Sequence, residues 1–357
     1  MLQFKENSIK HPNNFLLNQK NETFSSGTLH STGLVVFRKL VFAGFNRRWL
    51  QNFPYLSDYI KQKLQIIIMP ISLVIDERTA DIGGFTVGRV LPFRRKRMVG
   101  PFIYLDHMGP VTLGGGENLD VLPHPHIGLA TLTYLLDGAL MHRDNIGSVQ
   151  EIQPGAVNWM TAGRGVAHSE RTPEYLRHRE KTFHGLQIWV ALPAEFEETE
   201  ANFSHIPAPE IPVWEQDGAS LKLIAGEAFG RTSPVPVYSP LFLMEVRSRE
   251  AVTLQTGNAL SGECALYILE GSVTINRETY PPRKMVVLED GAPESVILSD
   301  NALVYLLGGE PFPEERHIWW NFVSTRKERL EQAKSDWKAQ RFPEIPGETE
   351  FVPLPER

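Results

Sequence analysis

The sequence predicts an all-β protein of two jelly-roll-like β-barrels followed by a short C-terminal helix. Two observations predict the barrels. From residue 70 onward, short β-branched and aromatic runs alternate with Gly, Pro, Asn and Asp, which is typical of sandwiches and barrels. A strand–turn–strand pattern also occurs twice along the chain. A third observation predicts the helix, because one later segment spaces its apolar residues helically.

The predicted strands are bounded by turn-forming residues and are rich in residues that favour an extended backbone. In chain order they cover residues 85–90, 102–105, 131–136, 139–143, 157–160, 185–191, 221–225, 241–246, 251–254, 265–269, 272–275, 285–288, 296–299 and 303–307. The predicted helix covers residues 325–339, TRKERLEQAKSDWKA, in which Leu330, Ala333 and Trp337 would share one face.

An internal repeat predicts that the barrel is duplicated. The segment YLLDGALMH at 134–142 resembles YILEGSVTI at 267–275, and each is typical of a strand, an acidic-Gly turn and a second strand. A Pro-rich passage between them, NFSHIPAPEIPVWEQDG, is typical of a linker. Ten of the eleven histidines precede residue 206, so any metal site built from histidines would lie in the first barrel. We therefore predict an N-terminal metal-binding barrel, a linker, a C-terminal barrel without metal ligands, and a helix with a tail. These units cover residues 69–201, 202–218, 219–312 and 313–357.

Residues 1–68 differ from the rest of the chain in charge. They carry nine Lys/Arg and three Asp/Glu, whereas residues 69–357 carry 27 and 39. Few acids, several serines and the Arg47-Arg48 pair are typical of a targeting leader. The alternative is an upstream extension of a protein whose translation starts at Met69. We favour this alternative, because regular strand patterning begins only after residue 68.

Composition and charge argue against several functional classes. No apolar run is long enough to span a bilayer, which argues against a membrane protein. The net negative charge of residues 69–357 argues against direct binding to nucleic acid, because that binding needs a basic face. A single cysteine, Cys264, cannot form an internal disulfide or a Cys-rich zinc site, and we expect it to be buried. Since no secretory signal is evident, we expect a cytoplasmic protein.

Two pairs of residues at i, i+2 spacing predict a metal site. Side chains two residues apart in a strand leave the same face, so His124 and His126 can point at one atom. His168 and Glu170 have the same spacing. One such pair alone is more often a surface or turn feature, but two pairs favour a ligand set. Three imidazoles and a carboxylate suit Fe(II), and also Mn, Co, Ni, Cu or Zn, and leave positions open for chemistry.

Other residues could contribute to a pocket around this site. Gln187 is polar within an apolar strand and is a candidate substrate contact. Trp159 is a second candidate, although a core position is the more ordinary expectation for it. His142 follows the turn of the repeat, and we expect it to be hydrogen-bonded or exposed rather than a ligand. We expect His184 to pack at a strand edge.

Three long segments resemble the diagnostic blocks of pirin-like proteins, which are members of the cupin superfamily. The segments are HPHIGLATLTYLLDGALMHRD, IQPGAVNWMTAGRGVAHSE and HGLQIWVALP. The resemblance covers about residues 72–310 and is densest over residues 102–193. It implies a bicupin with one mononuclear Fe(II) site in the N-terminal barrel. Matched residue by residue, the implied ligands are His124, His126, His168 and Glu170.

One position departs from the general cupin pattern, which places a glutamate four residues after the second histidine. That position here is Ala130, so the carboxylate would come from Glu170, as the resemblance to pirins implies. Many pirins carry a glutamate at the position of Ala130. The surroundings of the metal in this chain could therefore differ from those in pirins that carry this glutamate.

The resemblance implies quercetin 2,3-dioxygenase activity, in which O2 cleaves the central ring of a flavonol and carbon monoxide is released. The histidines would hold the metal, and Glu170 would be a ligand and also a base for the substrate hydroxyl. The substrate would be a small aromatic molecule such as a flavonol. The alternative is an iron-dependent regulatory protein without turnover, which binds a protein partner, as animal members of the family do. A metal-dependent isomerase or another oxygenase on the same barrel is a third hypothesis.

Overall fold

The computed structural model describes residues 71–82, 85–257, 259–288 and 291–356, and the prediction for residues 1–68 lies outside them. The first half of the described chain forms twelve strands. They are β1 (Ile71–Asp76), β2 (Arg78–Asp81), β3 (Thr86–Leu91), β4 (Phe102–Leu113), β5 (Asp120–His126), β6 (Leu129–Asp137), β7 (Leu140–Asp144), β8 (Val149–Ile152), β9 (Val157–Thr161), β10 (Val166–Arg171), β11 (Lys181–Ala191) and β12 (Asn202–Ile206).

The second half begins after a short 3-10 turn and ends in a helix. Its elements are β13 (Val213–Gln216), β14 (Ala219–Ala228), β15 (Arg231–Thr232), β16 (Leu241–Ser248), β17 (Val252–Gln255), β18 (Glu263–Glu270), β19 (Val273–Ile275), β20 (Glu278–Tyr280), β21 (Lys284–Leu288), β22 (Ser295–Leu298), β23 (Leu303–Gly309), β24 (His317–Trp319), β25 (Phe322–Ser324) and α1 (Lys327–Lys338). The 3-10 turns cover Glu174–Leu176, Ala194–Phe196 and Ala208–Glu210.

The strands form two barrels, each made of one large and one small antiparallel sheet. The first large sheet has the order β12-β9-β6-β11-β4-β3-β2, and the first small sheet has the order β5-β10-β7-β8. The second large sheet has the order β1-β21-β18-β23-β16-β14-β13, with β15 paired to β14. The second small sheet has the order β17-β22-β19-β20, and β24 and β25 form a hairpin. This confirms the predicted all-β fold of two jelly-roll-like barrels with a C-terminal helix.

The two large sheets pack against each other through one apolar core, here called the inter-sheet core. Its members include Leu132 and Ile188 of the first large sheet and Leu243 and Leu307 of the second. The strands of the first large sheet are consequently buried on both faces, and in β6 every residue from Leu129 to Leu135 is buried. Because successive side chains of a strand point to opposite faces, they alternate between the inter-sheet core and the interior of the first barrel.

The structure joins the two halves more closely than the predicted boundaries suggest. Strand β1 lies within the bounds predicted for the N-terminal barrel, but it pairs with β21 in the second large sheet. The segment predicted as a linker, residues 202–218, instead contains β12 in the first large sheet and β13 in the second. Its prolines, Pro207, Pro209 and Pro212, all lie between these two strands, where no ladder N–H is required.

The predicted helix is confirmed as α1, and its buried residues are Leu330, Ala333 and Trp337. The two predicted turns are also confirmed, because Gly138 and Gly271 have φ angles of 85° and 69°. These angles lie in the left-handed region, which glycine adopts readily. Among the residues that the structure describes, no helix is both long and apolar enough to cross a membrane.

The C-terminal segment covers the outer face of the first small sheet. Glu348 accepts hydrogen bonds from Ser169 and Arg171 of β10 at 2.7 and 2.6 Å. The backbone N–H of Val352 donates to the carbonyl of Pro123 in β5 at 2.8 Å. Apolar residues of α1 complete this contact. The end of the chain thus packs on strands that belong to the first barrel.

Cys264 is expected to be unreactive in the folded protein. It is fully buried in the core of the second barrel, and burial raises the pKa of its thiol to about 12. Almost no reactive thiolate therefore forms at neutral pH. With Ellman's reagent we expect no reaction in buffer and one thiol per chain in concentrated urea. Rapid reaction of the native protein would contradict this burial.

Candidate metal centre

Three histidines converge on the inner face of the first small sheet. His124 and His126 come from β5, and His168 comes from the neighbouring strand β10. His168 lies opposite His124 in the strand register, which places both side chains on one face. One ring nitrogen of each histidine lies within 4.8 Å of the others, and the Nε2 atoms of His126 and His168 are 3.1 Å apart. The structure therefore brings together three of the four predicted ligands.

The sequence PHPH suits the position of β5 in the sheet. The two prolines, Pro123 and Pro125, alternate with the histidines and cannot donate to a strand ladder. They are tolerated because β5 is the edge strand of the first small sheet. Strand alternation then directs His124 and His126 to the interior.

All three imidazoles are neutral. Burial lowers the pKa of His124 to about 4, and it lowers the pKa values of His126 and His168 well below the usual value. Neighbouring histidine rings lower them further. Nδ1 of His124 lies 2.8 Å from the carbonyl of Leu122, so it donates its proton there and leaves the Nε2 lone pair free. Neutral imidazole is the form that binds metals.

Glu170 shares this face of the sheet but does not belong to the three-histidine cluster. One extra residue in β5 shifts the register after His168, so Glu170 lies opposite Val121 of β5 and His142 of β7. Its carboxylate accepts a hydrogen bond from the Thr133 hydroxyl at 2.9 Å. Burial raises the pKa of Glu170, although His142 and the Thr133 hydrogen bond oppose this change.

Gln187 lies beside Glu170, connected to it through Thr133. The Thr133 hydroxyl oxygen is 3.0 Å from Oε1 of Gln187. A hydroxyl has one proton, so when Thr133 donates it to Glu170, the Gln187 amide is turned over and donates from its NH2 group to the hydroxyl oxygen. Gln187 thus lies at the edge of the site, and its contact with a substrate stays a prediction.

Trp159 does not reach this site. It is fully buried in the inter-sheet core, and its Nε1–H donates to the Thr161 hydroxyl at 3.0 Å. Strand alternation turns this side chain toward the second barrel, which agrees with the core position that is the more ordinary expectation for it and not with a substrate contact. Ala130 belongs to the same core. A glutamate at position 130 would accordingly point away from the three histidines.

Trp189 is a neighbour of the site that the sequence prediction missed. Its ring packs edge-on against His126, with ring centroids 5.1 Å apart, and stacks on Tyr104 at 3.9 Å. Trp189 stands two residues after Gln187 in β11, so it faces the same side of the strand. The i, i+2 spacing of Gln187 and Trp189 is the sequence feature that could have identified Trp189 as a neighbour of the site.

His184 lies away from the three histidines, with its Nε2 atom 2.9 Å from Nε2 of His107.

His142 and Asp144 are also neighbours of the site. His142 is buried and hydrogen-bonded, with its Nδ1 atom 3.3 Å from Nδ1 of His168. The sequence predicts a hydrogen bond at His142 but does not identify this partner. The segment HRD at 142–144 repeats the i, i+2 spacing of the two ligand pairs. That repetition could have placed both residues on the inner face of the sheet.

The donor set fits a divalent transition metal. Three buried imidazoles are neutral and present ring nitrogens to a common point, with a carboxylate nearby. Imidazole and carboxylate without thiolate suit Fe(II) and other first-row metals. Three histidines leave coordination positions open, which is typical of catalytic rather than purely structural sites.

Replacing His126 with alanine is expected to abolish stoichiometric metal binding. Loss even of a residue that supports a ligand lowers metal affinity about 10- to 100-fold, and His126 is itself a ligand candidate. Metal analysis after anaerobic purification measures this loss. His178→Ala, which changes an exposed histidine, is the matched control and should retain wild-type metal content. Full metal content in His126→Ala would show that the cluster is not the metal site.

Comparison with known proteins places the chain in a family. A family model described as Pirin matches residues 84–190, and one described as Pirin C-terminal cupin domain matches residues 243–343. A pirin-like protein of Caulobacter vibrioides is 50% identical over 293 residues, which cover 80% of this chain and 100% of that protein.

Solved structures agree with this placement. A quercetin 2,3-dioxygenase structure from Acinetobacter baumannii has a TM-score of 0.71 and 36% identity, covering 80% of this chain and 97% of that chain. A second quercetin 2,3-dioxygenase structure from the same organism has a TM-score of 0.70 and 26% identity, covering 76% and 97%. The chain therefore belongs to the pirin family of the cupin superfamily.

Proposed function

We propose that this protein is a mononuclear dioxygenase of the quercetin 2,3-dioxygenase type, with Fe(II) as its metal and a flavonol-like aromatic molecule as its substrate. The observation that carries the proposal is the cluster of three neutral, buried histidines beside the Glu170 carboxylate. The likeness to two structures named quercetin 2,3-dioxygenase, at 36% and 26% identity, supports this reaction class.

The three histidines have the role of holding the metal. A bound Fe(II) would supply open coordination positions and redox chemistry toward O2. Burial keeps the ring nitrogens of His124, His126 and His168 unprotonated and available. Burial also excludes bulk water, which strengthens every electrostatic contact within the site.

Glu170 is suited to accept the proton that a flavonol hydroxyl loses. Its carboxylate lies outside the histidine cluster, and burial raises its pKa, which makes it a stronger base than an exposed glutamate. The Thr133 hydrogen bond orients Oε1, and Gln187 orients Thr133 in turn. We assign the proton to the other oxygen, Oε2. This assignment retains the base role predicted for Glu170 and gives it more weight than the ligand role.

Trp189 gives the site a rigid aromatic wall. It stacks on Tyr104, whose hydroxyl donates to Asp106 at 2.6 Å. The Arg89 guanidinium lies 4.6 Å from the centroid of the Tyr104 ring, on the side that carries the ring's negative potential. Two stacked rings held in this way make the surroundings of His126 apolar and rigid, which supports an aromatic substrate.

Glu170→Gln is expected to separate proton transfer from metal binding. The amide keeps the size of the side chain and can accept the Thr133 hydrogen bond, but it cannot take up a proton. We expect quercetin-dependent oxygen uptake by the Fe(II)-loaded protein to fall about 10²- to 10⁴-fold, while metal content stays near the wild-type value. Glu180→Gln, which neutralises an exposed glutamate, is the control and should leave both unchanged.

Two results would contradict this proposal. Wild-type protein that holds stoichiometric iron without taking up oxygen on flavonols is not a dioxygenase of this type, and the regulatory hypothesis would then gain weight. Loss of metal from Glu170→Gln as complete as from His126→Ala would identify Glu170 as a required ligand instead of a free base.

A further inference from the structure

We propose that His142 and Asp144 form a positioning pair that fixes the orientation and tautomer of His168. The inference rests on the metal centre proposed above and adds two residues to it. Both residues come from β7, which neighbours β10 in the first small sheet. His142 lies opposite Glu170, and Asp144 lies opposite His168, so all four side chains share the inner face.

A chain of contacts leads from His168 away from the other ligands. Its Nε2 atom is 3.1 Å from Nε2 of His126, whereas its Nδ1 atom is 3.3 Å from Nδ1 of His142. On the far side, Nε2 of His142 is 2.9 Å from Oδ2 of Asp144. Because His142 contacts Nδ1 of His168, and the Nε2 atom of His168 is the one that lies near His126, His142 supports this ligand and is not itself a ligand.

The backbone holds Asp144 at the end of this chain. Its Oδ1 atom accepts the N–H groups of Ile146 and Ser148 at 3.1 and 2.8 Å. Burial opposes ionisation of this carboxyl, but the hydrogen bonds from His142 and Ser148 outweigh burial and hold its pKa below the usual value. Both oxygens of an ionised carboxylate are acceptors, so His142 has to donate.

With neutral rings, one arrangement of protons satisfies the contacts among His168, His142 and Asp144. His142 carries its proton on Nε2, donates it to Asp144, and therefore presents a lone pair at Nδ1. His168 then donates its Nδ1–H to His142, which leaves its Nε2 lone pair directed at the metal position. Histidine ligands are commonly oriented by an acceptor on the second nitrogen, and here that acceptor is another histidine backed by a carboxylate.

Packing holds the His142 ring in the required plane. The ring stacks on Phe203 of β12, with centroids 4.4 Å apart and an interplanar angle of 22°. His142 and Asp144 are both buried, so water does not compete for their hydrogen bonds. The segment predicted as a linker thereby contributes to the order of the metal site.

Asp144→Asn tests the pair without changing its size. The asparagine carbonyl would accept the hydrogen bonds from the N–H groups of Ile146 and Ser148. Its NH2 group would then point toward His142. His142 would then accept at Nε2 and donate from Nδ1, so His168 would carry its proton on Nε2, where a metal must bind. We expect the affinity of the metal-free protein for Co²⁺, measured by competition with a chromophoric chelator, to fall about 10- to 100-fold.

Further measurements separate positioning from a general structural role. The visible absorption spectrum of bound Co²⁺ should shift in Asp144→Asn, while the melting temperature of the metal-free protein should equal that of wild type. His142→Phe keeps the stacking on Phe203 but removes both nitrogens, and we expect a similar loss of affinity. His178→Phe, at an exposed position, is the control.

Wild-type Co²⁺ affinity and spectrum in Asp144→Asn would overturn the positioning role, whatever the melting temperature. If His142→Phe fails to fold, the asparagine variant decides the question alone. Failure of the wild-type protein to bind Co²⁺ at all would instead overturn the metal centre itself, so the two proposals fail in distinguishable ways.

Discussion

The packing of the two large sheets against each other determines where every functional side chain of the first large sheet points. Because β6, β9 and β11 are buried on both faces, alternate residues are divided between the inter-sheet core and the first barrel. Leu132 and Ile188 join the core, whereas Thr133 and Gln187 face Glu170. The site is thus assembled from the residues that the contact between barrels does not use.

This contact also contains directional polar groups. Tyr134 of the first large sheet and Tyr305 of the second both donate to Oε2 of Glu245, each at 3.0 Å. In the repeated segment of the second barrel, Tyr267 donates to Glu77, which follows β1. Buried polar groups are costly unless they are paired, so these bonds favour one register of the two sheets over others that apolar packing would allow. A shift of the sheets would leave the tyrosine hydroxyls and carboxylates unpaired.

The parts of the structure that the sequence could predict depend on local patterns. The duplicated strands, α1 and the three histidines each follow from spacing within a few residues. The direction of the Trp159 side chain could not be predicted because a strand buried on both faces has no polar alternation to show which way it turns. The role of Phe203 was missed because its Pro-rich surroundings resembled a linker, and the pairing of β1 with β21 depends on segments far apart in the chain.

The cover on the first small sheet has a consequence for biosynthesis. Strands β5 and β10 are translated early, whereas Glu348 and Val352, which bind their outer side, are translated among the last described residues. Until those residues leave the ribosome, Ile127 and Ala167 lack the apolar partners that α1 supplies. The nascent first barrel therefore exposes the apolar surface around these two residues, and such a surface can bind chaperones or associate incorrectly with other chains. Its ligand strands reach their final packing only when translation of the C-terminal segment is complete.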